Sequence, residues 1–299
     1  MLYIILIPPV VIALMILMLH ISFIPPRMQE HKNPLNRGMN YQQLSISTQK
    51  NKQLFAWLIP AQITAQSQMQ ALTERFSHHL EHSTPLVIMV HGWGSNAELM
   101  LPVAELFYQV DCHVILFDAR CHGNSDNDSY AALPRFAEDI QAVADFARNK
   151  LAYKGKIILL GHSVGAGAAL YAATLRSDIA AVISLAAFAN PEQVMRRYFK
   201  KYHLPDLMTN FFLAYVQWLI GHKFNEIAPE NTIKKITVPV LLVHGKDDRT
   251  IPVTDAYRIH NNNPQSQLLI IEGAGHKLIN RLKSHGSLLT EFLKAVRVE

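Results

Sequence analysis

Short unbroken apolar runs alternate along this chain with longer stretches whose apolar residues recur every three to four positions. The runs are Leu86–Val90, His113–Phe117, Ile157–Leu160, Ala181–Leu185, Val240–Val243 and Gln267–Ile271. The amphipathic stretches are Ala97–Val110, Pro134–Lys150, Val164–Arg176, Thr254–His260 and Ser287–Val296. Continuous apolar strands joined by helices predict an α/β architecture, a doubly wound and mostly parallel sheet covered on both faces. Ahead of it, Leu44–Thr48 and Leu54–Ile59 flank polar Gln49–Gln53 and read as a hairpin. A thin apolar stripe predicts a helix over Gln66–His82. The connection from Phe188 to Thr237 is too long for a plain crossover and carries two helical patterns, Pro191–Lys201 and Asp206–Gly221. It predicts a helical cap inserted over residues 189–236.

The first segment differs from all of these. Leu2–Phe23 carries no charge, and as a helix it would reach ~33 Å, enough for a hydrocarbon core of ~30 Å. Pro8 and Pro9 place its regular part from about Val10. A secretory signal would want a basic start and small residues at a cleavage site, which neither flank supplies. The expectation is therefore a transmembrane anchor over 1–24, a polar linker over 25–43 and a folded α/β domain over 44–299. Arg27, Lys32 and Arg37 all follow the span, which puts the domain on the cytoplasmic side, where Cys112 and Cys121 would be reduced thiols.

With 49% hydrophobic and 17% charged residues over 299 positions, the chain is no disordered tail. Two cysteines cannot form a disulfide scaffold, and no spacing suits structural zinc. A formal charge of +5, without basic clusters interleaved with aromatics, does not match nucleic-acid binding.

In open parallel sheets, ligands bind beyond the carboxyl ends of strands. Ile157–Leu160 runs into Gly161-His162-Ser163-Val164-Gly165, and small residues then open a helix. This is G-x-S-x-G in the setting it needs: the flanking glycines allow a turn tight enough to project a serine hydroxyl. A serine needs a base, and the base an orienting acid. Two later strand ends supply candidates, Asp247 and Asp248 after Val240–Val243 and His276 after Gln267–Ile271, in the chain order Ser, Asp, His.

On these residues the chain resembles an α/β-hydrolase from about Leu44 onward, in the branch with a compact helical cap (serine-aminopeptidase-like and monoacylglycerol-lipase-like esterases). His91-Gly92-Trp93-Gly94 resembles that family's oxyanion loop. Asp118-Ala119-Arg120-Cys121-His122-Gly123-Asn124-Ser125 resembles its D-x-R-G-H-G-x-S loop. Gly245-x-x-Asp248-x-x-Ile251-Pro252 matches the acid loop and selects Asp248 over Asp247. The resemblance implies Ser163 as nucleophile, His276 as base and Asp248 as orienting acid, with the backbone N–H groups of Trp93 and Val164 as the oxyanion hole. It implies no metal or organic cofactor and a small-molecule ester as substrate, lipid-like given the apolar N-terminus. Cys121 departs from the family's glycine, so a strained backbone there would be lost or relaxed.

Blander assignments go to the rest. His91, His122, His162 and His244 are expected to pack or to hydrogen-bond loops, and Asp118 and Arg120 to tie loops together. Arg196, Arg197, Lys200 and Lys201 suit a solvated helix face. The apolar stretch from Phe211 to Ile220 is too wide for one stripe; part packs on the sheet domain, and the remainder lines an acyl pocket or touches lipid. The same triad serves acyltransferases, thioesterases and peptidases, and a silent binding protein at the membrane would keep the same fold. Gly92-Trp93-Gly94-Ser95-Asn96-Ala97 with Asp118 also satisfies a dinucleotide fingerprint, a reading that leaves Ser163, Asp248 and His276 without a role.

Overall fold

The computed structural model describes residues 13–62 and 80–298. Eight strands form one sheet: β1 (Gln42–Ser47), β2 (Gln53–Ile59), β3 (Leu86–Val90), β4 (His113–Phe117), β5 (Ile157–His162), β6 (Ile179–Leu185), β7 (Val240–Gly245) and β8 (Gln267–Ile271). Their order is β1-β2-β4-β3-β5-β6-β7-β8. The β1–β2 and β2–β4 pairs are antiparallel and every other pair is parallel. The α-helices longer than four residues are α1 (residues 13–22), α2 (Leu101–Gln109), α3 (Leu133–Asn149), α4 (Val164–Ala173), α5 (Pro191–Lys201), α6 (Asp206–Ile220), α7 (Val253–Asn261) and α8 (Gly286–Val298).

Burial explains why the central strands read as unbroken apolar runs rather than alternating ones. Ile88 and Val90 of β3 face one apolar layer, filled by α3, α4 and the cap. Val87 and Met89 face the other, filled by α2 and α8. Each such side chain, withdrawn from water, contributes roughly 1.5–3 kcal/mol. The run His113–Phe117 divides in the same way, with Ile115 and Phe117 on one side and Val114 and Leu116 on the other.

The cap begins where Asn190 accepts a hydrogen bond from the Glu192 amide and Pro191 presets the first helical turn. Phe199 from α5, with Phe212, Leu213, Val216 and Ile220 from α6, joins the layer that reaches Leu133 and Val164. Tyr130 ties the cap to the sheet domain by donating its hydroxyl to the Leu219 carbonyl at 2.8 Å.

Most of the helix expected over Gln66–His82 lies outside the described residues, as does the first half of Leu2–Phe23. No helix among the described residues is long and apolar enough to cross a membrane, so the transmembrane anchor expected over 1–24 is not seen in them. The described part, α1, lays one face on the protein. Met15, Ile16, Leu19 and Phe23 pack against the cap-side layer, and His20 Nδ1 lies 3.3 Å from the Tyr215 hydroxyl of α6.

Residues 25–38 run along the rim of the sheet. Arg27 donates to the carbonyls of Gly123 and Ser125 (2.9 and 2.8 Å) and to Asn127. The amides of His31 and Lys32 donate to Glu98. Glu30 accepts from the Asn124 side-chain amide.

Candidate active site

Ser163 sits between β5 and α4 with φ +56° and ψ −117°, a conformation that side chains rarely adopt. Two close approaches enforce it. A Cβ on Gly161 would lie 2.1 Å from the Gly165 carbonyl oxygen, and one on Gly165 would lie 2.4 Å from the His91 carbonyl oxygen. Only glycine fits either place. The Ser163 amide bonds the Leu185 carbonyl of β6 at 2.8 Å, which locks the turn to the sheet.

The three residues predicted from separate strand ends meet here. Ser163 Oγ is 3.0 Å from His276 Nε2, and His276 Nδ1 is 2.7 Å from Asp248 Oδ2. With Asp248 accepting from Nδ1–H, Nε2 is left as the acceptor for the serine proton. The other oxygen of Asp248 accepts the amides of Thr250 and Ile251, both at 2.8 Å. Burial alone would raise the Asp248 pKa. The hydrogen bonds from His244, His276 and the Ile251 amide outweigh burial and hold the carboxyl well below the usual carboxylate range. Asp247 is exposed and touches neither histidine in these contacts; its amide bonds the Ala274 carbonyl.

The loop after β3 lies against the serine. A Cβ on Gly92 would come within 3.2 Å of Ser163 Cβ, so the Trp93 backbone follows directly beside the hydroxyl. Val164 opens α4, and its N–H is among the first-turn donors that no helical carbonyl satisfies. Of the two residues expected to supply oxyanion amides, Val164 opens α4 at the positive end of its dipole, and Trp93 follows Gly92, whose backbone passes close to Ser163.

The four other motif histidines bond backbone, as expected, though two of those bonds reach the site itself. His162 Nε2 contacts the His276 carbonyl at 2.9 Å, and the two rings lie 5.1 Å apart. His244 Nε2 contacts the Ile251 carbonyl at 2.9 Å and lies 3.4 Å from Asp248 Oδ2. Sequence reasoning gave neither a part in the site. The available signal was position: His162 immediately precedes the serine, and His244 is four residues before the acid. His91 and His122 bond the Gly92 and Arg120 carbonyls beneath the loop that carries Trp93.

Asp118 and Arg120 tie loops together. Asp118 accepts the amides of Ala97 (2.7 Å) and Asn124 (2.8 Å). Burial first, then the hydrogen bond and charge of Glu30, push the Asp118 carboxyl well above its ordinary range. Arg120, almost fully buried, pairs with Asp139 at 2.7 Å, Glu138 at 2.5 Å and Asp128 at 3.2 Å.

Cys121 corrects one expectation: the strained backbone is kept, with φ +68°, although glycine is missing. Its amide bonds the Asp126 carbonyl at 2.9 Å, and its thiol contacts the backbone of Asp128 on both the donor and acceptor side. These bonds hold the left-handed turn against its steric cost. Burial pushes the Cys121 thiol pKa up, and Cys112 and Cys121 are both buried.

Comparison with known proteins agrees with this architecture. YqkD of Bacillus subtilis, an uncharacterised protein, is 31% identical over 217 residues, covering 69% of this chain and 70% of its own. The lysophosphatidylserine lipase ABHD12 of Danio rerio is 21% identical over 283 residues, covering 88% of this chain and 72% of its own. Among solved structures, the Pyrococcus furiosus esterase Pf2001 superposes with a TM-score of 0.68 at 21% identity, covering 91% of this chain and 98% of its own. The sequence profile of the alpha/beta hydrolase family matches residues 87–285, and the chain belongs to that family.

Proposed function

We propose that this protein is a serine hydrolase that cleaves a carboxylic ester, lipid-like or otherwise acyl, through a covalent acyl-enzyme. The observation that carries the proposal is the hydrogen-bonded chain from Ser163 through His276 to Asp248 at one sheet edge. Ser163 Oγ attacks the acyl carbonyl as His276 Nε2 takes its proton, and ionised Asp248 stabilises the imidazolium. The N–H groups of Trp93 and Val164 receive the developing oxyanion, each donor contributing roughly 3–4 kcal/mol to the barrier in comparable enzymes. His276 then gives its proton to the leaving alcohol, and water activated by the same imidazole releases the acid. The chemistry calls for no metal or cofactor.

The esterase and lipase relatives support an ester as the substrate class. The apolar Leu2–Phe23 supports attachment of the N-terminus to a membrane, and Arg27, Lys32 and Arg37 after it support a catalytic domain on the cytoplasmic face. The direct test is fluorophosphonate labelling together with p-nitrophenyl ester hydrolysis. Wild type should react and turn over, and Ser163→Ala should do neither; wild-type turnover in Ser163→Ala would refute the assignment.

A further inference from the structure

Helix α6 has two apolar faces. Phe212, Leu213, Val216 and Ile220 are buried beneath it. On the opposite side Leu207, Phe211 and Trp218 are 83%, 50% and 75% exposed. Their spacing of four and seven residues, with exposed Ala214 between, places them on one outward stripe. A solvated helix would carry charge there; this stripe carries none.

The stripe does not end with the cap. Trp218 lies 5.9 Å from the Tyr215 ring, and Tyr215 meets His20 of α1. On α1 the face turned away from the protein is again apolar, with Leu14, Met18 and Ile21 exposed. Two helices that meet through His20 and Tyr215 therefore each expose an apolar face. Upstream, residues 1–12 hold no charged side chain, so the sequence extends that character beyond α1.

Basic and aromatic residues lie beside the stripe. Between residues 191 and 223 there are five Lys and Arg against two acids, and Lys200 and Lys201 are exposed at the end of α5. Tyr198 and Tyr202 are exposed next to them, their rings 5.0 Å apart. Apolar side chains flanked by tyrosines and lysines suit the boundary between acyl chains and anionic headgroups.

We infer that the outer face of α6, together with that of α1, inserts into the surface of an anionic lipid bilayer, so that the cap itself is a membrane-contacting element. This extends the membrane attachment proposed above from the N-terminus to the cap, and it needs no catalytic step. The test uses the full chain with phosphatidylcholine–phosphatidylglycerol vesicles whose acyl chains carry bromine, a contact quencher of tryptophan. Sedimentation with the vesicles reads attachment of the chain, and quenching of Trp218 reads the cap. Wild-type emission should be quenched, and most of that quenching should vanish in Trp218→Phe. The double variant Leu207→Asp, Phe211→Asp should slow cleavage of a vesicle-borne ester about tenfold while leaving a soluble short-chain ester unaffected. Quenching should persist in Ser163→Ala, which separates this inference from the hydrolase reading. A chain that sediments with equal quenching in wild type and Trp218→Phe would overturn it, leaving attachment to the N-terminus alone. A chain that fails to sediment, with no quenching, would overturn both. Dimers in lipid-free buffer that dissociate in the double variant would also overturn it, assigning the stripe to a second copy.

Discussion

His162 holds the backbone of His276. Its Nε2 meets the His276 carbonyl at 2.9 Å, and burial lowers the His162 pKa to about 4, so the ring stays neutral and donates its single Nε2–H. The residue before Ser163 thus fixes the loop that carries His276. His162→Leu should lower kcat by about 10–100-fold with little change in KM, because the imidazole loses alignment while the acyl pocket is untouched. An unchanged kcat in a variant with wild-type circular dichroism would remove His162 from the positioning role.

Backbone crowding at the serine turn sets a second expectation. Gly161→Ala drives a methyl into the Gly165 carbonyl, and Gly165→Ala drives one into the His91 carbonyl. Each should cost about 3 kcal/mol in urea unfolding, the upper end for overpacking, because the obstacle is backbone and cannot rotate away. Gly286→Ala is the control: nothing lies within 4 Å of a Cβ there, and stability should hold.

Arg120 is the hub of a buried charge network, and its loss leaves Asp139 without a cation. Arg120→Ala should destabilise the fold by about 3–5 kcal/mol, read from the shift in unfolding midpoint. Arg196→Ala, removing an exposed pair with Glu192, should cost less than about 1 kcal/mol.

Acid lability follows from buried imidazoles. Burial lowers the pKa of His113, His122 and His162 to about 4, and that of His91 well below its ordinary value. In the unfolded chain all four titrate near ~6.5. Between those values the unfolded state binds more protons than the folded one, so stability falls as pH drops from ~6.5 toward about 4. The urea midpoint should be lower at pH 5 than at pH 7. Equal midpoints would show that these rings stay solvated.

Much of this molecule could be read from its residues. Leu86–Val90 and His113–Phe117 are strands with the bounds expected, because burial on both faces leaves an apolar run with sharp edges; Gln267–Ile271 also keeps its expected bounds, although as the edge strand it is largely half-buried. Asp248 is preferred to Asp247 through the resemblance of Gly245-x-x-Asp248-x-x-Ile251-Pro252 to the family's acid loop; in the structure its carboxylate accepts the Thr250 and Ile251 amides and meets His276. The roles of His162 and His244 were not legible, since the His276 carbonyl that His162 meets, and the Ile251 carbonyl and Asp248 carboxylate that His244 meets, are brought near by folding. Nor was the course of residues 25–38, whose polar composition reads as a tether although Arg27 and Glu30 have partners nearly a hundred positions away.

That segment has a practical consequence. Pro26 lies 3.2 Å from where a Cβ on Gly94 would stand, and Glu30 meets Asp118, whose carboxyl anchors the amides of Ala97 and Asn124. Removing the greasy leader by starting expression at Tyr41 would therefore strip the brace from the loops that follow β3 and β4. A trimmed version that begins before Pro25 keeps those contacts, and comparing the two would show whether the catalytic half depends on its own leading strap for shape.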